Sequence, residues 1–417
     1  MRALTLSFIL LMAFHIGAFA QKAPQSKSLD KKVDSVMKLM TLEEKIGQLN
    51  QFTGDGEVTG PVTLNNDYVN LIKEGKVGSM LNINSAAYTH KIQKIAVEES
   101  RLGIPLIFGY DVIHGYKTIF PVPLGESASW DLGAMKRSAR IAAVEATAAG
   151  QHWTFAPMVD IARDARWGRI MEGAGEDPYY GSEVAKARIR GFQGEDMSKA
   201  NTMLACAKHF AAYGAAVGGR DYNTVDISKR TLHELYLPPF KASVDEGVAT
   251  FMSSFNELNG IPVTGHKQLV RDILKEKWDF SGFIVSDWAS VQEMIVHGYA
   301  KDKYEAGDLA MNAGIDMDME GHVYIQELKN LVEDGVVKEA LVDEAVRRIL
   351  RKKFELGLFE DPYRYSDTKR EKEVILSVSK IKYGGDNGYI VVIKEVSQRQ
   401  KIEKNTEQLA GELQDSL

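Results

Sequence analysis

The stretch Ser281-Gly-Phe-Ile-Val-Ser-Asp-Trp288 decides how the chain reads. Its apolar core, Phe283 to Val285, is a strand-sized run, and a carboxylate, Asp287, stands just beyond it. The same order recurs along the chain. Apolar runs at Val77 to Leu81, Ile104 to Tyr110, Thr154 to Val159, Met203 to Ala207, Ala249 to Phe255 and Met311 to Ile315 alternate with amphipathic stretches. They end in Asn82, Asp111, Asp160, Lys208 with His209, Asn256, and Asp316 with Asp318, respectively. Apolar runs separated by helical patterns make a parallel sheet. Polar groups gathered at the carboxyl ends of many strands mark the active face of a barrel, whereas an open doubly wound sheet gathers fewer, at one switch point. The expected fold is therefore α/β, a (β/α)8 TIM-like barrel.

Helices frame this pattern. Val33, Val36, Met37 and Met40 share one helical face, and Thr41 with Glu44 forms a capping box opening a second helix through Ile46 and Leu49. Near the other end, Leu341, Val342, Ala345, Val346, Ile349 and Leu350 form one apolar stripe that Gly357 stops. Asp361-Pro362 breaks the chain beyond it.

Composition narrows the function classes. The chain has 417 residues, 44% of them hydrophobic, with a net charge of -6. That acidity speaks against a nucleic-acid or anionic-membrane partner, either of which calls for a basic stripe. A single cysteine, Cys206, rules out an intrachain disulfide and a cysteine-based zinc site, and its place in an apolar run makes it a small core residue. Residues 1–20 read as a secretory signal: Arg2, an apolar stretch from Leu4 to Phe19, then a small-x-small cleavage site at Ala18-Phe19-Ala20. The apolar stretch is too short for a comfortable membrane span. The expectation is an exported protein, periplasmic or secreted.

The chemically densest region runs from Trp153 to Pro178. It holds Asp160, Arg163-Asp164-Ala-Arg166-Trp167-Gly168-Arg169, Glu172 and Gly175-Glu176-Asp177. A solvated ion-pair network is the plainer explanation of such a loop, but tryptophan, glycines and a preceding strand favour a binding site. Guanidinium groups bind neighbouring hydroxyls bidentately, and an aromatic ring covers the apolar face of a sugar.

Gly109-Tyr-Asp111-Val-Ile-His-Gly115, Arg166-Trp-Gly-Arg169, Lys208-His209-Phe210 and Ser286-Asp287-Trp288, in this order and spacing, resemble glycoside hydrolase family 3, most closely its exported bacterial β-glucosidases. Arg220, Met252-Ser-Ser-Phe-Asn256 and Ala313-Gly-Ile-Asp316 extend the resemblance, which covers about residues 32–377. It implies a retaining, exo-acting β-glucosidase that attacks terminal β-glucosyl residues with Asp287 as nucleophile, through a covalent glycosyl-enzyme. Alone, one Asp after a strand would read as a helix cap. The resemblance further implies that Asp111, Arg169, Lys208, His209 and Arg220 grip the sugar hydroxyls and that Trp288 is a platform for the ring. Phe255 stands where many relatives have tyrosine. The implied partner is a β-glucoside or oligosaccharide, and no metal or organic cofactor is implied, because two carboxyl groups and water suffice. A β-xylosidase, or a catalytically weak sugar-binding barrel, are the alternatives. Oligomeric state is not legible.

Two features compete with this reading. Asp316, Asp318, Glu320, Gly321 and Glu327 match most of an EF-hand calcium loop, but the preceding run reads as a strand, not an EF helix. Gly125-Glu-Ser127-Ala-Ser129 lacks the closing glycine of a nucleophile elbow. The resemblance also implies a general acid from a following α/β sandwich domain, because Lys208-His-Phe-Ala-Ala-Tyr-Gly214 lacks the histidine loop of single-domain relatives. The domain plan expected is a signal peptide (1–20), a family barrel (28–362), the start of a linker (363–378), and a Gln/Glu/Lys-rich tail (379–417). That tail is too short for a sandwich domain and reads as non-family sequence of a truncated or frame-shifted product.

Overall fold

The computed structural model of the chain describes residues 23–54 and 68–376, so the stretch expected to be a signal (1–20) and the expected non-family tail (379–417) lie outside the described residues. Among these, ten strands are found in chain order: β1 Asn50–Thr53, β2 Ser79–Leu81, β3 Ile107–Tyr110, β4 Trp153–Thr154, β5 Cys206–Phe210, β6 Thr250–Ser253, β7 Glu257–Leu258, β8 Ile261–Pro262, β9 Phe283–Val285 and β10 Asp318–Met319. One parallel sheet runs β10-β1-β2-β3-β4 and another β5-β6-β9. Parallel bridges Trp153–Leu204 and Met158–Lys208 join β4 to β5, and Val285–Met317 joins β9 to β10. The eight parallel strands thus close into a ring, the (β/α)8 barrel that the strand-end pattern implies. β7 and β8 form a short antiparallel hairpin after β6.

Side chains fill the ring. Trp153 of β4 is fully buried, its indole N–H donates to Thr250 Oγ1 of β6 at 2.8 Å, and its ring meets Phe283 of β9 edge-on at 5.0 Å. Truncating such a residue costs roughly 3–5 kcal/mol. On the outside, the Thr41 capping box is complete: Glu44 N–H donates to Thr41 Oγ1 at 3.3 Å, and Thr41 N–H to Glu44 Oε2 at 2.9 Å. The helix Glu339–Glu355 buries Val342, Ala345, Val346, Ile349 and Leu350, and Gly357 follows it with φ +72°.

Three local readings change. Met311 to Ile315 is not a strand, because residues 311–313 end the helix Lys303–Ala313, which Gly314 caps at φ +105°. A short apolar run cannot by periodicity be told from the buried end of a helix. The strand on that side is β10, which begins at Asp318. A helix therefore does precede the EF-hand-like loop, so that ground for setting the loop aside fails; its carboxylates are nonetheless engaged. Asp316 Oδ1 accepts from Lys275 Nζ at 2.6 Å, its Oδ2 accepts the Ile284 N–H at 2.8 Å, and Asp318 Oδ2 accepts the Val323 N–H at 2.8 Å. Second, Lys208 and His209 lie within β5 rather than beyond it. Third, residues 363–376 pack on the barrel. Tyr365 is buried with its hydroxyl donating to Thr202 O, and Glu371, in the helix Thr368–Leu376, accepts the Ala86 N–H.

Candidate active site

At the carboxyl ends of the strands lies a cavity of about 410 Å³. Asp111, Arg169, Lys208, His209, Phe255, Asp287 and Trp288, drawn from β5 and from the loops that follow β3, β4, β6 and β9, all line it. Arg220 does not: it is exposed beside Gly218 and Gly219 (φ +70° and +66°), whose turn brings Asp221 and Tyr222 to the cavity in its stead.

Asp287 owes its position to the seam between β9 and β10. Ser286 N–H donates to Met317 O at 2.8 Å, Ser286 Oγ accepts the Met319 N–H at 2.9 Å, and Ala289 N–H donates to Met319 O at 2.8 Å. Asp287 Oδ1 accepts the Trp288 N–H at 2.7 Å, while Oδ2 is buried with no hydrogen-bond partner among the described residues. Burial pushes this carboxyl up to about 7; the Arg169 and Lys208 cations and the Trp288 N–H pull against that rise. An oxygen left free at a cavity wall, on a carboxyl whose basicity is raised, is a competent nucleophile once ionised.

The cations are held by partners of their own. Lys208 Nζ donates to Asp111 Oδ1 at 3.0 Å. Arg169 makes a bidentate pair with Glu172, Nε to Oε1 at 2.6 Å and Nη2 to Oε2 at 2.9 Å. Burial alone would raise the Glu172 carboxyl, but Arg169 and Lys208 hold it below the ordinary range. Such a fixed fork presents its remaining N–H groups in a constant direction, which suits hydroxyl recognition.

His209 is buried between two carboxyl groups. Its Nδ1 stands 2.8 Å from Asp160 Oδ2, which also accepts the His209 backbone N–H at 2.8 Å, and its Nε2 lies 3.6 Å from Asp287 Oδ2. Burial raises Asp160 to about 8 and holds the imidazole well below its usual value.

Aromatic rings build the remaining wall. Phe255 packs against Tyr222 at 4.5 Å and Tyr213 at 6.0 Å. Trp167, which the sequence offered as a sugar-covering ring, is fully buried; its indole N–H donates to Asp221 Oδ1 at 2.8 Å and its ring meets Tyr213 edge-on. It packs the wall from behind, in one cluster with Met158, Tyr213 and Phe255, because a bulky ring on a loop can fold into the core as readily as face a ligand. Sequence reasoning placed Glu172 in the charged loop without giving it a role, and passed over Asp221, Tyr222 and Glu293 among the lining residues. Only Glu172 carried a signal, its spacing of three from Arg169.

The comparisons agree with one another. Residues 41–352 match the glycosyl hydrolase family 3 N terminal domain. The chain is similar to the periplasmic beta-glucosidase of Salmonella typhimurium, 40% identical over 342 residues that cover 82% of this chain and 44% of that protein. A beta-xylosidase of Formosa agariphila is 32% identical, covering 86% of this chain and 47% of its own. Among solved structures, the beta-glucosidase from Listeria innocua in complex with isofagomine superposes with a TM-score of 0.76 at 43% identity, covering 82% of this chain and 50% of that one. The chain spans about half the length of these relatives.

Proposed function

The chain belongs to glycosyl hydrolase family 3, and on that footing we propose that it is the barrel part of an exported, retaining, exo-acting β-glucosidase with Asp287 as its nucleophile. The observation that carries this reading is the Asp287 carboxyl, with Oδ2 unpartnered at the wall of a cavity ringed by Arg169, Lys208 and His209. A terminal glucosyl unit would sit with its hydroxyls toward Asp111, Lys208, Arg169 and His209 and its apolar face toward Trp288. Ionised Asp287 then attacks the anomeric carbon, the glycosidic C–O bond breaks, and an ester forms. Water attacks that ester in a second step, so configuration is retained. Arg169 and Lys208 favour the ionised carboxyl, while closed packing beneath it keeps bulk water off the ester.

The leaving oxygen needs a proton from a second carboxyl about 5 Å from the nucleophile. We assign that acid to a following domain of the kind that fills the remaining half of the relatives. Export rests on the signal-like residues 1–20 and on the periplasmic relative.

Labelling tests the reading. Incubation with a 2-deoxy-2-fluoro-β-glucoside should add one fluoroglucosyl unit to the peptide holding Asp287, and Asp287→Ala should abolish it. Sugar binding without any adduct would mean a binding barrel. The xylosidase relative supports a second reading, β-xylosidase; faster labelling by the matching fluoroxyloside would favour it.

A further inference from the structure

One imidazole stands between two carboxyl groups, and counting protons gives that arrangement a role. This step rests on Asp287 being the nucleophile. Asp160 Oδ2 accepts the His209 backbone N–H and faces Nδ1, each at 2.8 Å, so one oxygen holds both the main chain and the ring. Burial keeps Asp160 a neutral acid up to about 8, and its Oδ1 is buried without a partner among the described residues, so its proton sits on Oδ2 toward Nδ1 and the ring carries its own at Nε2. On the far side Nε2 faces Asp287 Oδ2 at 3.6 Å, an oxygen with no other hydrogen-bond partner among the described residues. Were Nε2 bare and Asp287 ionised, two lone pairs would oppose each other in a buried site, where unpaired polar groups are most costly. A proton must lie between them, and whenever Asp287 is ionised it is the Nε2 proton of the neutral ring.

We propose that Asp160 is a positioning residue for the reaction: by anchoring both the backbone N–H and Nδ1 of His209, it presents Nε2–H to Asp287 Oδ2 and so favours the ionised nucleophile. Other groups act on the same pair from every side of the cavity. Arg169 and Lys208 are the cations, Asp111, Glu172, Asp221 and Glu293 the acids, and Tyr213 and Tyr222 the phenols. None of these changes in the variants below.

The test is the pH profile of Asp287 labelling by the fluoroglucoside, on the full chain. In Asp160→Asn the amide oxygen still accepts the backbone N–H, but that atom has no proton to give, so Nδ1 keeps the ring proton against it and Nε2 becomes an acceptor. The acid limb should then move up by about one pH unit, giving roughly tenfold slower labelling on that limb and wild-type rates above it. Asp160→Ala, which frees the ring, should move the limb the same way, and either variant suffices if the other fails to fold. A uniform loss at all pH values, or an unmoved limb, overturns the assignment while leaving Asp287 as nucleophile. A wild-type chain that takes no label overturns both readings.

Discussion

Lys208 of β5 donates to Asp111, just beyond β3, at 3.0 Å, so one ion pair spans the cavity mouth between strands that are not neighbours in the ring. Lys208 is 5% exposed and Asp111 27%. Removing the half-buried acid leaves a buried ammonium unpaired, and such a loss costs about 1–3 kcal/mol after allowance for solvent. Asp111→Ala should therefore lower the melting temperature by several degrees and weaken glucose binding at least tenfold. Calorimetry of both properties checks this. Loss of stability with undiminished glucose affinity would remove Asp111 from the sugar site.

The Asp287 carboxyl, pushed up to about 7, makes a prediction of opposite sign for stability and for reactivity. Only the ionised form attacks, so labelling should rise about tenfold per pH unit below 7 and level off above it. Folding, by contrast, favours the protonated form. A carboxyl raised in the folded state adds stability that is complete below the unfolded value near 3.8 and lost as pH climbs through 7. Asp287→Asn should thus stabilise the chain at pH 8 by about 1–4 kcal/mol and by less at pH 5. Urea titrations at the two pH values measure the difference; an equal effect at both would mean that the carboxyl is not raised.

Glu145 lies in the helix Leu132–Ala148, and its carboxylate accepts the Lys117 N–H at 2.9 Å, the Thr118 N–H at 2.8 Å and the Thr118 hydroxyl at 2.5 Å. It pins the loop that leaves Asp111. Glu145→Ala strands two amide donors and should cost about 2 kcal/mol. Because the loop loosens, glucose affinity should fall a few-fold although Glu145 is not among the lining residues. Glu145→Gln, which can satisfy one of the amides, should recover part of both losses.

The barrel was legible where its strands are apolar and its chemistry sits just past them. β9 with Asp287 and β3 with Asp111 follow that rule. β1 breaks it: Asn50-Gln-Phe-Thr53 is a polar sequence, yet wholly buried, with Asn50 Nδ2 donating to Ile46 O at 2.7 Å and Gln51 Nε2 to Ser79 Oγ at 2.8 Å. A strand that buries polar side chains leaves no apolar run to find, even though the amide oxygens of Asn50 and Gln51 have no hydrogen-bond partner among the described residues. β10 was displaced because the apolar run before it is the buried end of a helix. Arg220 shows the limit of motif reading at the site. Its neighbours Asp221 and Tyr222 reach the cavity, on a turn in which Gly218, Gly219 and Tyr222 all have left-handed φ, and no motif spacing announces that.

Leaving-group dependence separates a barrel that lacks its proton donor from one that carries its own. Among the carboxylates lining the cavity, Asp111 is paired with Lys208, Glu172 with Arg169, and Asp221 with the Trp167 indole, so none of the three is placed to give up a proton easily. Glu293 remains, half-buried and with its carboxyl raised by burial. General acid help is worth about 10²- to 10⁴-fold, and a dinitrophenolate, already a stable anion, hardly needs it. The isolated chain should therefore cleave a dinitrophenyl β-glucoside readily and cellobiose 10²- to 10⁴-fold more slowly than a two-domain relative does. If the acid belongs to a following domain, Glu293→Gln should alter neither rate by more than about threefold. A selective fall in cellobiose cleavage by Glu293→Gln, or cellobiose turnover matching a two-domain relative, would place the proton donor within the barrel itself.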